Sequence, residues 1–138
     1  MTLDLNAFLA GAGHFLLAFG IACVLLSLFK TLYQLSTPYD ERKLVAEGNL
    51  AAGIAFGGAI VGFALPLASA LTQTVDPVEF AAWAVLAGVI QVIAALVVRR
   101  VVIRDLVQRI ESGNIATATY AAATSIAVGL LNAASMTY

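Results

Sequence analysis

Four long apolar stretches make up most of this chain, and short polar segments part them. The first runs from about Ala7 to Leu32, the second from Leu50 to about Leu71, the third from Val78 or Glu79 to about Val102, and the fourth from Ile115 to about Met136. A helix that crosses a bilayer needs roughly 20 mostly apolar residues, so each stretch predicts one membrane span. Between the first two, Thr37-Pro38 breaks the pattern. A Thr cap followed by Pro at the first helical position predicts a short surface helix over Tyr39 to Glu47. Gly48-Asn49 then ends that helix and caps the next span, because Gly suits the left-handed position and Asn is a strong N-cap. Beyond Arg99 the pattern changes again. Val102, Leu106 and Ile110 share one face, and Arg100, Arg104, Asp105, Gln108 and Arg109 fill the rest. This predicts an amphipathic continuation to Glu111 on the membrane surface. Gly113-Asn114 repeats the Gly-Asn cap before the fourth span.

Composition supports the same picture. The chain is 62% hydrophobic and only 11% charged, where a soluble domain carries about 25% charged residues. Charge then sets the expected orientation. Lys30, Arg42 and Lys43 lie in one window, and Arg99, Arg100, Arg104 and Arg109 lie in the other. Segments rich in Lys and Arg stay on the cytoplasmic side, so both chain ends are expected outside. The fold class is therefore all-α: an integral membrane protein with four transmembrane helices, N-out and C-out, in the bacterial inner membrane. The N-terminus does not read as a cleavable signal peptide, since it lacks a positive leading region and its apolar run is long. Seven basic residues on two loops are what topology alone demands, so no nucleic-acid partner is expected.

The halves resemble each other. Glu47-Gly48-Asn49-Leu50-Ala51 lines up with Ser112-Gly113-Asn114-Ile115-Ala116, and Pro66-Leu67-Ala68-Ser69 with Asn132-Ala133-Ala134-Ser135. This reads as a tandem repeat of two two-helix units, residues 1–72 and 73–138, in one compact membrane domain. Each unit holds two spans, so the repeat is parallel, with any pseudo-two-fold axis along the membrane normal. Small residues supply packing candidates. Gly53/Gly57 and Gly58/Gly62 are each four apart, the spacing that lets helix backbones touch in lipid. Pro66 follows one turn later and is expected to bend the helix. Ala118, Ala122, Ser125, Gly129, Asn132 and Met136 form one stripe of the fourth span. This density of close-packing faces predicts a homo-oligomer, with a dimer favoured.

Chemistry-bearing groups are few. Gln91 falls near mid-bilayer, where a carboxamide needs partners. It is a candidate intramembrane polar site together with His14, Ser125 and Asn132, and the competing reading is hydrogen bonding between helices. His14 can exchange a proton near neutral pH, but it has no second histidine and no carboxylate within its span. Ser69, Ser125, Ser135 and Cys23 have no evident base. No carboxylate pair, phosphate loop or metal spacing occurs, so no enzyme activity, cofactor or metal is expected. Glu47 and Glu111 precede the two caps, where a helix N-terminus favours negative charge.

Thr37-Pro38 with acidic Asp40-Glu41, the Glu47-Gly48-Asn49-x-Ala51-Ala52 segment, Gly58-x-x-x-Gly62, Pro66, Trp83, Gln91, Gly113-Asn114-x-Ala116 and the ending Asn132-Ala133-Ala134-Ser135-Met136-Thr137-Tyr138 resemble the YjfL-like family of small bacterial inner-membrane proteins. The resemblance covers nearly the whole chain. At Ser135 the family often carries Cys, so thiol chemistry is not expected there. The family has no established biochemical function. Its genes tend to accompany those for membrane-remodelling proteins and a peptide-ligase-like enzyme, which implies envelope maintenance or membrane stress by association. The leading expectation is a non-enzymatic scaffold or anchor that offers Arg100, Arg104 and Arg109 to a cytoplasmic membrane-remodelling partner. The alternative is a small channel or transporter lined by Gln91, Ser125, Asn132 and His14.

Overall fold

The computed structural model describes residues 2–136, and those residues are helical with short connections. Helix α1 spans Leu5–Ser36, α2 Glu41–Ala46, α3 Leu50–Gln73, α4 Pro77–Val97, α5 Leu106–Glu111 and α6 Ile115–Ser135. A π-helical turn over Val98–Val102 follows α4 directly. Four helices are long and apolar enough to cross a membrane: Leu5–Ser36, Leu50–Gln73, Pro77–Val102 and Ile115–Ser135. Thr137 and Tyr138, the end of the family-like motif, lie outside the described residues.

Local chemistry accounts for where the helices begin. The Asp4 carboxylate accepts from the amides of Asn6 and Ala7 and starts α1 before Ala7. Asp76 accepts from the amide of Val78, with Pro77 opening α4. The surface helix departs from expectation. Thr37 closes α1 instead of opening α2: its hydroxyl donates to the carbonyls of Gln34 at 2.8 Å and Tyr39 at 3.3 Å. Asp40 is the actual cap of α2, accepting from the Lys43 amide at 3.2 Å. An ionised acceptor suits a helix N-terminus better than a hydroxyl already donating backwards.

The two Gly-Asn turns have the same backbone. Gly48 and Gly113 both lie at φ +85°, the left-handed region that a Cβ disfavours. The Gly48 amide donates to the Val45 carbonyl and the Asn49 amide to Leu44; Gly113 and Asn114 donate in the same way to Ile110 and Arg109. These paired bonds satisfy the last carbonyls of α2 and α5. Each Asn then caps the next span, Asn49 through the Ala52 amide and Asn114 through the Thr117 amide. Asn49 does more, since its amide donates to the carbonyls of Ile110 at 3.0 Å and Glu111 at 3.3 Å. One cap thus ties the start of α3 to the end of α5.

The amphipathic segment past Arg99 is not one continuous helix. The π turn carries an extra residue per turn and ends at Ile103, whose backbone is extended at φ −129°. The chain restarts as α5, with Leu106 and Ile110 buried against Ala51, Ala52, Ala55 and Ala118. Within this segment Arg99 is buried, while Arg100 and Arg104 stay exposed.

The bundle is organised around α3 and α6, which make the most extensive contact of any helix pair. They run side by side in the same direction: Ser69 Oγ donates to the Ala133 carbonyl at 3.1 Å, and Gly58 lies against Ala122. Glycine makes this approach possible. A Cβ at Gly62 would come within 2.5 Å of the Ser125 carbonyl oxygen, and one at Gly129 would strike the Gly62 carbonyl. Pro66 leaves that carbonyl without its helical donor. It sits inside α3, four residues after Gly62, and has no N–H to offer it. The freed oxygen faces Gly129, where the missing Cβ leaves it room. Gly53 and Gly57 play no such part, since a Cβ at either would meet nothing within 4 Å. A second core joins α1, α3 and α4 through the stacked rings of Phe29 and Phe63, whose centroids are 4.2 Å apart. The N-terminal half of α1 touches little; its residues from Leu5 to Gly11 are exposed.

Candidate functional site: a buried polar column

Polar side chains inside the bundle fall along one line from the C-terminal half of α6 to the basic end. The line starts at Asn132, 8% exposed, whose amide donates to the Ala87 carbonyl of α4 at 3.1 Å. One turn along α4, the Gln91 amide donates to the Ser125 carbonyl of α6 at 3.1 Å. The Gln91 Oε1 is buried and has no hydrogen-bond partner among the described residues. A cavity of about 20 Å³ follows, bordered by Tyr33, Thr37, Tyr39, Arg99, Thr124 and Ser125. That is room for about one water molecule.

The basic end of the line is a cluster of buried ionisable groups. Arg99 is 8% exposed. Its Nη1 donates to the Ser36 carbonyl at 2.8 Å, closing the C-terminus of α1 from the side. Its Nη2 is buried without a partner among the described residues. Glu41, the first residue of α2, is 1% exposed, and neither carboxylate oxygen has a partner among the described residues. The Gln34 Nε2 is another such atom. Burial raises the Glu41 carboxyl above its ordinary range, against the opposing pull of Thr37 and Arg99. Burial also holds the Tyr39 hydroxyl well above the usual phenol value, with Tyr33 and Glu41 adding to it.

The sequence candidates distribute unevenly over this geometry. Gln91, Ser125 and Asn132 share the column. His14 stands apart, exposed in the N-terminal half of α1. Gly58, Gly62 and Gly129 make the α3–α6 approach that carries Ser125 to Gln91. Glu47 and Glu111 are exposed beside the two turns. Arg100, Arg104 and Arg109 are exposed at the basic end, and the Arg109 Nε pairs with Asp105 Oδ2 at 2.8 Å. That pairing holds the Asp105 carboxyl below its ordinary range. Glu41 and Arg99 escaped the sequence reading. An acid opening a short helix looks like dipole compensation, and one Arg among four looks like topology. The available signal was that Arg99 sits within the apolar run Val97-Val98 and Val101-Val102.

A family model, Domain of Unknown Function (DUF350), matches residues 6–136. The chain belongs to this family. Inner membrane protein YjfL of Escherichia coli, strain K12, is 34% identical over 134 residues, which cover 97% of this chain and 98% of the relative. The YjfL of Escherichia coli O157:H7 matches equally. No solved structure gives a significant match. With four membrane-capable helices, the DUF350 chain is a multi-pass protein of the inner membrane.

Proposed function

We propose that this DUF350 protein is a non-enzymatic scaffold or anchor of the inner membrane, acting in envelope maintenance or membrane stress. Its basic end faces the cytoplasm and both chain ends face outward, with residues 1–72 and 73–138 as two parallel halves. The observation that carries the reading is the joint exposure of Arg100, Arg104 and Arg109 at one end of the bundle. The amides inside the bundle, meanwhile, bond to neighbouring backbones. A surface of this charge suits an acidic partner recruited to the membrane. The open faces of Gly53 and Gly57 support self-association, because a second helix can approach them closely. In the test, Arg100, Arg104 and Arg109 are changed together to Gln, and crosslinked partners are compared after orientation is checked by surface labelling. Recruitment falls while insertion and orientation persist. Unchanged recruitment by correctly oriented protein refutes the scaffold.

One observation favours a second reading, a small channel or transporter. The unpartnered Gln91 Oε1 and the cavity beside Ser125 lie on the same line as Arg99. Flux in reconstituted vesicles that drops in Gln91→Leu supports transport. No flux across a broad panel of solutes and ions, or flux indifferent to this change, supports the scaffold.

A further inference from the structure

Glu41 is a buried carboxyl left without a partner. It opens α2, the short helix that packs on α3, it is 1% exposed, and its oxygens form no hydrogen bond of ordinary geometry among the described residues. The ion pair formed among the described residues is Arg109–Asp105, so Arg99 does not come within ion-pair distance of Glu41. A carboxylate held in this way is driven toward its neutral form, because the protein returns little of the hydration it loses. We propose that Glu41 is a proton-binding site, and that its occupancy controls whether α2 lies against α3.

The groups facing it are few. Arg99 of the π turn and Tyr33 of α1 stand on the neighbouring elements, Tyr39 and Asp40 precede it in the chain, and Glu111 of α5 acts on Tyr39. Arg42 and Lys43 follow it on α2 and are exposed, and α3 carries no titratable side chain. Burial outweighs the opposing pull of Thr37 and Arg99. The exchange is a simple transfer. Hydronium at the basic end gives one proton to the carboxylate, leaving a neutral carboxyl and a water molecule, and release reverses this with no change of oxidation state. The sign follows from linkage. The docked carboxyl binds its proton more tightly than the undocked one. Docking is therefore strongest at low pH and weakens as pH rises through the docked value. α2 is six residues long and carries Arg42 and Lys43, so its release alters the charge offered at this end. The proposal holds under either functional reading above.

Infrared titration of the whole chain in phospholipid vesicles tests it. The wild type retains a protonated-carboxyl C=O band at pH values where free glutamate, with a pKa of about 4.3, is ionised. Glu41→Gln, which mimics the protonated state, lacks the band. Arg99→Gln keeps it to higher pH, because a nearby positive charge is gone. A wild type with every carboxyl ionised in the ordinary range, or an unchanged band in Glu41→Gln, overturns the proposal. The exposed Glu47, Glu79 and Glu111 can also be changed to Gln together, leaving Glu41 as the remaining glutamate; loss of the band there overturns it as well. Docking is read by hydrogen exchange corrected for intrinsic rates. Protection of α2 amides declines with rising pH in the wild type and stays constant in Glu41→Gln. Protection independent of pH in the wild type overturns the coupling.

Discussion

Replacing Gly129 with Ala places one methyl group where α3 and α6 meet. The new Cβ would strike the Gly62 carbonyl oxygen and lie 2.9 Å from its carbon and 3.0 Å from the Gly62 Cα. All three are backbone atoms, so no side chain can swing aside. Carbon atoms rest at about 3.5–4.0 Å, so the helices must part. Overpacking of this kind costs about 1–3 kcal/mol, occasionally more. Two smaller terms act beside it. Ala gains up to about 1 kcal/mol over Gly in a helix, and parting the helices strains the Gln91–Ser125 bond, a class that averages about 0.6 kcal/mol in membranes. Steric cost wins, leaving a net loss of about 1–3 kcal/mol, a roughly five- to 150-fold shift in the unfolding equilibrium. Gly57→Ala is the control. It has nothing within 4 Å and leaves stability of the bundle unchanged or raised by up to about 1 kcal/mol. Reversible unfolding in mixed micelles, followed by far-ultraviolet circular dichroism and the fluorescence of Trp83, the single tryptophan, measures both. Equal midpoints for the two variants would refute the claim that Gly129 exists to admit the Gly62 carbonyl.

Asn49→Ala destabilises the same bundle more than Asn114→Ala. Asn114→Ala removes one cap, worth about 1 kcal/mol, whereas Asn49→Ala also removes the donor to Ile110 and Glu111; equal losses would show that the bridge to α5 contributes nothing. Gln91→Leu changes stability less than Asn132→Leu by the same unfolding assay. Leucine at 91 also removes the unpartnered Oε1, which partly offsets the lost bond to Ser125. Asp105→Asn leaves the neutral-pH midpoint unchanged, because the pair with Arg109 is exposed. Arg109 holds the Asp105 carboxyl low, so what the pair contributes is present above the ordinary aspartate range and fades only as pH falls through the lowered value.

Features carried by one short stretch of chain were legible in the sequence. Gly48-Asn49 and Gly113-Asn114 announce their turns because a left-handed residue followed by a cap has few substitutes. The four spans follow from apolar length alone. Gly58 and Gly62 could be recognised as close-packing residues, yet their spacing matches that of Gly53 and Gly57, where an added Cβ would meet open space. Periodicity locates a face but does not name its neighbour. The cluster of Glu41 and Arg99 was hidden for a different reason. It joins residues from two distant windows through a π turn, and one extra residue in a turn rotates every later side chain. No local pattern in Val98–Val102 marks that change of pitch. Thr37 was misread because Thr-Pro suits the opening of a helix as well as the close of the previous one, and only Asp40, three residues on, decides between them.

Helix α1 has a mechanical consequence. At 32 residues and 1.5 Å per residue it is a rod of about 48 Å, in a hydrocarbon layer about 30 Å thick. α4 and α6, at 21 residues each, come to about 32 Å and match that layer. Among the described residues, α1 is held through its C-terminal half, by packing from Ile21 to Tyr33 and by the Arg99 bond to Ser36. The free end must lean or project, by an amount that the surrounding lipid sets. A thicker membrane pulls it upright and a thinner one lays it over, and because Ser36 is bonded to Arg99, that lever turns on the corner where Glu41 is buried.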